Sequence, residues 1–264
     1  MAITVCALGS GSKGNSVLVS NGEHNILIDC GFGIRELSAR LMSQGATLAG
    51  LDGILITHEH TDHVKAMKSA GDRHHVPVYL HERTCRALGA AAPDNTFVFS
   101  TLNGFMLGGF EIRPFPTPHD AVYPVGYSIS DGESRFVYAT DLGFVSAEVL
   151  AAARKADIVM LESNYDRDML VRGAYPYFLK QRILSDHGHL CNTDCAEAIR
   201  KIADWGTRNF ILGHISQENN LKELVYRTTL ETLEKDGGRL HKDFELSVAT
   251  QDAPCETLLC NTAS

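Results

Sequence analysis

The stretch LITHEHTDHV, residues 55–64, places three histidines and one aspartate within six positions, directly after an apolar run. Imidazole and carboxylate groups are strongly hydrated, and burying them at the end of a core strand is unfavourable unless something compensates. The apolar run predicts a strand over Gly53–Thr57 whose carboxyl end faces a crevice. Side chains alternate along extended backbone, so His58 and His60 project to one side. Asp62 and His63 follow where a helix is expected to begin, and turn toward a second point. Four such groups on one loop suit two adjacent metal ions better than one, and imidazole with carboxylate is the donor set preferred by zinc-like cations.

Three other stretches offer further ligands. PFPTPHD ends an apolar strand with His119, and its prolines stiffen an extended turn. VYATDLG ends another with Asp141, two residues before Gly143, and NFILGHIS ends a third with His214. Each candidate lies just past an apolar strand, so all can converge on one sheet edge.

The rest of the chain reads as an ordinary globular protein. Of 264 residues, 44% are hydrophobic and 21% charged, enough for a substantial core and too mixed for disorder. Apolar runs are strand-sized, far short of a membrane span. The start, MAITVCALGSGSKGNS, lacks a basic region followed by a long apolar stretch, and seven cysteines without a tight CxxC pair do not suggest a disulfide framework. A reducing cytoplasm is expected. The formal charge of −8 argues against a broad basic face for nucleic acid, although bound dications would reverse the potential inside a cleft.

No linker or repeat divides the chain, so one domain over 1–264 is expected. The pattern predicts strands at Thr4–Leu8, Val17–Val19, Asn25–Asp29, Val76–Leu80, Ile158–Glu162, Asn209–Leu212 and Glu245–Ala249. Helices are expected at Ile34–Gln44, Asp62–Ala70, Arg83–Leu88, Ala147–Ala153, Asp168–Leu184, Thr193–Trp205 and Glu218–Lys235, the Thr193 helix capped by Asn192 or Thr193. Between Phe97 and Tyr138, short strands broken by Gly and Pro suggest antiparallel pairing. This mixture fits two sheets face to face with helices outside better than one doubly wound sheet.

Taken in order, HxHxDH, a strand-end His, a strand-end Asp and a late His resemble the ligand set of the metallo-β-lactamase fold. Asp29 in ILIDCG looks like that fold's early strand-end aspartate. The resemblance spans about residues 3–249 and implies an α/β fold, a four-layer αββα sandwich. GSGSKGNS, LESNYD, GHLCNTD and GHISQENN are similar to the YycJ/WalJ group, related to tRNase Z-type phosphodiesterases and nucleases. Ile215 stands where that group's last motif usually has Leu. The resemblance implies that His58, His60 and His119 hold one metal, Asp62, His63 and His214 a second, and Asp141 bridges them. Asp29 would orient the HxHxDH loop from behind.

The best-known β-lactamases of the superfamily carry Cys where Asp141 stands, and flavodiiron members carry Glu where His60 stands, so neither activity is expected. What the resemblance leaves is dinuclear hydrolysis of a phosphodiester, in particular exonuclease action (5′ to 3′) on double-stranded DNA. Small phosphodiesters, a thioester as in glyoxalase II, and a non-catalytic regulatory metal protein are the alternatives. Two divalent ions (zinc or manganese, with iron also accepted) about 3.5–4 Å apart would yield a bridging hydroxide near neutral pH, with Asp62 orienting it or taking its proton.

A developing oxyanion needs donors nearby. Ser10, Ser12, Lys13 and Asn15, on the glycine-rich turn at 9–16, are candidate substrate contacts, as is His189, which matches the position of a late-loop histidine that contacts the scissile phosphate or helps protonate the leaving oxygen in related nucleases. Ser216 and Asn219–Asn220 have a weaker claim to the cleft. His24, His74, His75, His81 and His241 are expected at the surface, and Trp205 in packing. DNA is favoured over RNA as partner, with no membrane.

Overall fold

A computed structural model describes residues 2–235 and 237–259; Met1, Asp236 and residues 260–264 of the expected 1–264 domain lie outside the described residues. Its framework is two seven-stranded sheets. In the first, β1 (Thr4–Gly9), β2 (Ser16–Ser20), β3 (Asn25–Ile28), β4 (Gly53–Leu55), β5 (Val78–His81) and β6 (Thr96–Phe99) lie side by side in chain order, with a short late strand, β14 (Leu258–Leu259), beyond β1. The second runs in chain order through β7 (Phe105–Leu107), β8 (Phe110–Pro116), β9 (Val125–Ser130), β10 (Arg135–Ala139), β11 (Ile158–Glu162), β12 (Asn209–Gly213) and β13 (Glu245–Val248).

Alternation along the strands sorts side chains into layers. Val5, Val17, Val19, Ile26 and Ile28 of the first sheet meet Tyr127, Ile129, Phe136, Tyr138, Met160 and Ile211 of the second, forming the central core. The intervening residues Leu18, Leu27 and Ile54 point outward to α1 (Ile34–Ser43) and α3 (Met67–His74). Val137, Val159, Leu161, Phe210 and Leu212 do the same beneath α5 (Ala147–Ala153), α8 (Asn192–Asp204) and α9 (Lys222–Lys235). The result is the four-layer αββα order. Tyr127 is fully buried, and its hydroxyl donates to Ile56 O at 2.6 Å, so a polar group inside the core also ties the two sheets together.

Several local expectations are corrected. The segment Asp62–Ala70 is not one helix: α2 (Thr61–Val64) stops, and Ala66 N donates to Cys30 O at 2.8 Å before α3 begins. The segment Asp168–Leu184 is split into α6 (Arg167–Arg172) and α7 (Tyr177–Ile183) around Gly173 and Pro176, the latter standing just ahead of α7 where its missing N–H costs nothing. Strand β6 pairs in parallel with β5, because α4 (Glu82–Leu88) crosses over between them; only β7 to β10 form the expected antiparallel meander.

Neither Asn192 nor Thr193 caps α8. Cys191 occupies that position, since the Asn192 amide is already engaged with Ser163 and Asn220. Helix α9 begins at Lys222 rather than Glu218, because Ser216–Asn220 is tied into a loop through Ser216 Oγ and the Asn220 side chain. His81 is buried rather than at the surface; its ring stacks on Tyr123 with centroids 3.8 Å apart, and Nδ1 accepts from Arg83 N at the head of α4. No helix among the described residues is long and apolar enough to cross a membrane.

Strands β10, β11 and β12 are mutually parallel, and β8 runs in the same direction as β10 through the intervening antiparallel β9. Their carboxyl ends therefore share one edge. Strands β3 and β4, also parallel to each other, bring their carboxyl ends into the same cleft, as the contacts below establish.

Candidate metal centre

Each of three key side chains follows a strand through a left-handed residue: Asp29 (φ 56°) after β3, Asp141 (φ 61°) near the end of β10, and His214 (φ 54°) after β12. That conformation costs an L-residue about 1–2 kcal/mol. Three such positions are a sizeable fraction of a typical net stability of about 5–15 kcal/mol. The fully buried strands behind them hold the turns in place and aim the side chains into one cleft.

The HxHxDH loop is fastened from below. Asn15 N donates to Asp62 O and Cys30 N to His63 O, both at 2.8 Å. Gly31 makes this close approach possible, because a Cβ there would lie 1.6 Å from Asp62 O. Gly143 serves the Asp141 turn similarly: its Cβ would lie 2.1 Å from the Asp186 backbone.

Hydrogen bonds then orient the rings. Asp29, fully buried, accepts from Thr57 N at 2.8 Å and from His63 Nδ1 at 2.8 Å. The Thr57 hydroxyl donates to Asp29 at 2.9 Å, which leaves its oxygen to accept from His58 Nδ1 at 2.9 Å. His119 Nδ1 donates to Gly188 O at 3.0 Å, and His214 Nδ1 to Glu162 Oε1 at 2.8 Å. With Nδ1 engaged in each case, Nε2 turns toward the cleft, where His63 Nε2 also lies 3.2 Å from Asn15 Nδ2 and His119 Nε2 3.3 Å from Asp120 Oδ1.

Those outward atoms have little to bind. His58 Nε2, His214 Nε2 and Asp141 Oδ2 are buried without a hydrogen-bond partner. His119 Nε2 lies 3.4 Å from His60 Nδ1, and His63 Nε2 lies 3.3 Å from Asp141 Oδ2 and 3.5 Å from Asp62 Oδ2. Buried polar atoms without a partner are unfavourable, and a cation among His58 Nε2, His214 Nε2 and Asp141 Oδ2 supplies the missing partner. Ligating atoms within 4.8 Å of one another form overlapping groups: His58, His60 and His119; Asp62, His63 and His214; His58, His63 and Asp141; and Asp141, Glu162, His189 and His214. The residues present fit a divalent-metal centre of the imidazole–carboxylate kind.

Electrostatics agree. Burial, opposed only by Asp141, holds His58 well below the ordinary imidazole range, so it stays a neutral donor. Burial also opposes charge on His63, but the carboxylates of Asp141 and Asp29 outweigh it and raise that ring well above its usual value. His214 is pushed up to about 10 for the same reason, with Asp141, Asp62 and Glu162 overcoming burial. Asp141 and Asp62 are held below the usual carboxylate range despite burial, by His214 and His63 among others. Without a metal, protons on these rings balance the carboxylates.

The structure brings together His58, His60, Asp62, His63, His119, Asp141 and His214, with Asp29 behind them, as the sequence predicts. It also places a residue that sequence reasoning missed. Glu162, fully buried at the end of β11, accepts from both His214 Nδ1 and His189 Nδ1 (2.7 Å) through Oε1, while Oε2 accepts from Leu142 N and Leu190 N. Its signal was present: an acid closing the apolar run IVMLE obeys the strand-end rule that singled out Asp141.

The candidate substrate contacts divide. His189 lines the cleft, its ring 5.2 Å from those of both His119 and His214. Ser12 and Ser216 line it too. Ser10 and Asn15 are buried beneath it. Ser10 Oγ accepts from His214 N, and Asn15 Nδ2 donates to Gly11 O and Asp62 Oδ2, so both brace the ligands. Lys13 is exposed and outside the cleft lining, Asn219 and Asn220 are buried in the loop before α9, and Trp205 packs on the outer core beneath Arg154.

The cleft itself encloses about 260 Å³. A larger depression of about 440 Å³ lies at the amino ends of β10–β12, lined by Glu133, Asp157 and Arg208 among others, and carries no cluster of ligating atoms among the described residues.

Residues 24–215 match the family model described as a β-lactamase superfamily domain. The chain is 34% identical over 250 residues to exodeoxyribonuclease YycJ of Bacillus anthracis, covering 93% of this chain and 95% of that one. It is 34% identical over 251 residues to exodeoxyribonuclease WalJ of Streptococcus pneumoniae serotype 2, covering 93% of each. Among solved structures, the metallo-β-lactamase fold protein YhfI of Bacillus subtilis superposes with a TM-score of 0.75 at 17% identity, over 97% of this chain and 99% of that one.

Proposed function

The chain belongs to the β-lactamase superfamily and, within it, to the group of the YycJ and WalJ exodeoxyribonucleases; from that premise we propose that it is a two-metal phosphodiesterase acting on DNA, as an exonuclease on duplex ends. The observation that carries the reading is a set of three unpartnered buried atoms: His214 Nε2 and Asp141 Oδ2, whose residues line one open cleft, and His58 Nε2, whose residue falls in a ligating group with Asp141. A structural site would be closed by its ligands, whereas this one opens to solvent on the side of His60, Asp62 and His189.

In this reading His58, His60 and His119 would hold one ion and Asp62, His63 and His214 the other, with Asp141 available to both. Asp29, Asp62, Asp141 and Glu162 supply four carboxylate charges, the complement of two dications. Zinc, manganese or iron suit the donors. When bound, such ions supply Lewis-acid activation of water and of the scissile phosphorus centre. Asp62, the least buried of these carboxylates, accepts the proton of the attacking water. Glu162 fixes His189 through Nδ1, so that its other ring nitrogen faces the cleft and delivers a proton to the leaving oxygen. A cytoplasmic chain working as one domain over 1–264 completes the proposal, supported by the core that both sheets share.

The test is hydrolysis of bis-p-nitrophenyl phosphate and of end-labelled duplex DNA, after chelation and re-addition of manganese or zinc. The expected result is metal-dependent cleavage of both, abolished by His60→Ala. Cleavage of the small diester alone would move the substrate class to small phosphodiesters, and metal-independent cleavage would overturn the reading.

A further inference from the structure

The segment between β11 and α8 folds as a helical hairpin, α6 and α7, seated on its own small core of Leu170, Ile183, Tyr165 and Cys191. Tyr175, Leu179, Arg182 and Ile183 form one wall of the metal cleft. On α7, Phe178 precedes Arg182 by four residues, so the two share one side of the helix. Tyr177 and Phe178 are 77% and 74% exposed, and Val171 of α6 is 56% exposed. Large exposed aromatics side by side mark a contact surface.

Charge on this surface is close to balanced. The segment from Ser163 to Cys191 carries four basic and three acidic residues, and Arg167, Arg172 and Arg182 pair with Asp194, Asp168 and Asp120. The hairpin is also stiff. Lys180 Nζ bonds Val171 O and Gly173 O, each at 2.7 Å, and Arg182 is held at the cleft by Asp120. The aromatic rings are thus presented on a fixed frame, with little ordering cost on binding.

We propose that the exposed face of α7 is a platform for a single nucleic-acid strand, whose bases stack on Tyr177 and Phe178 while its backbone passes Arg182 into the metal cleft. The inference deepens the nuclease reading of that cleft and rests on it. A strand is favoured over other occupants because the helix that carries the exposed Tyr177 and Phe178 also lends Leu179, Arg182 and Ile183 to the wall of the metal cleft. Stacking accepts any base, because every base has a π-face. An exonuclease that must accept every sequence at an opened duplex end needs that kind of contact.

The experiment measures binding of a fluorescein-labelled, cleavage-resistant phosphorothioate oligonucleotide of about 12 nucleotides to the metal-loaded protein, alongside hydrolysis of bis-p-nitrophenyl phosphate. In Tyr177→Ala/Phe178→Ala, oligonucleotide affinity should fall about 10- to 100-fold while diester hydrolysis stays unchanged; Tyr177→Phe should bind as the unaltered protein does. Undiminished oligonucleotide binding in the double variant overturns the proposal. So does a parallel loss of diester hydrolysis, which would make the hairpin a structural wall only. So does failure of the unaltered protein to bind the oligonucleotide while it still cleaves the diester, a result that leaves the metal centre standing. Binding to phosphatidylglycerol vesicles that depends on the two aromatics, with oligonucleotide binding unaffected, would assign the face to a lipid surface instead.

Discussion

The carboxylate of Asp29 lies 2.8 Å from His63 Nδ1, with both side chains fully buried. The same carboxylate holds Thr57, and Thr57 holds His58, so one aspartate sets the orientation of two rings that face different groups of ligands. Removing a group that orients metal ligands from behind typically costs about 10- to 100-fold in metal affinity or activity. Asp29→Ala should therefore raise the metal concentration required for half-maximal diester hydrolysis by that factor. A metal titration of activity checks it; an unchanged requirement would mean that the rings are oriented without Asp29.

Glu162 has a heavier task, since one buried carboxylate accepts from two imidazoles and two backbone amides. Truncating it leaves those donors unpaired in the interior, and breaking a buried pair costs about 3–5 kcal/mol. Glu162→Ala is expected to lower Tm sharply and to lose metal. Glu162→Gln keeps the shape and should keep the fold, but bind metal more weakly. Differential scanning calorimetry with metal analysis separates the two effects, and equal Tm for all three proteins would refute this role.

His189 differs from the buried candidate ligands His58, His63, His119 and His214 because its ring is partly exposed in the cleft. As a proton donor to the leaving oxygen it should contribute about 10²–10⁴-fold, but only where the leaving group needs a proton. His189→Ala is expected to cut DNA hydrolysis by that factor while largely sparing bis-p-nitrophenyl phosphate, whose leaving group departs without help. Rates on both substrates decide; equal losses would make His189 a structural or metal-holding residue.

Much of the side-chain cluster was legible in the sequence, because candidate ligands at strand ends leave a local signature: an apolar run closed by His or Asp, as at Thr57–His63, Asp141 and His214. The same rule reaches Glu162, but an acid at the end of IVMLE, without a histidine beside it, does not stand out from a cap or turn residue. Ser10 and Asn15 were read as donors to substrate because glycine-rich turns commonly face anions. Sequence does not reveal that this turn packs under the HxHxDH loop, with Asn15 contacting Asp62 and His63.

Layer order and nearly all strands were likewise legible from alternation. The breaks were not, because tertiary bonds made them: Ala66 N is drawn to Cys30 O, ending one helix, and Ser216–Asn220 is tied into a loop that delays α9. His81 was misplaced for the same reason. Its partner Tyr123 lies 42 positions further along the chain, and only the fold brings the two rings together.

The central claim is that Asp141 joins two metal positions in one cleft, and metal stoichiometry tests it most directly. Metal content of the purified protein, measured by mass spectrometry after dialysis against manganese or zinc, should be two ions per chain. In Asp141→Ala it should fall below two, with hydrolysis of bis-p-nitrophenyl phosphate abolished and circular dichroism unchanged. A single ion in the unaltered protein, or full activity and two ions in Asp141→Ala, would contradict the account.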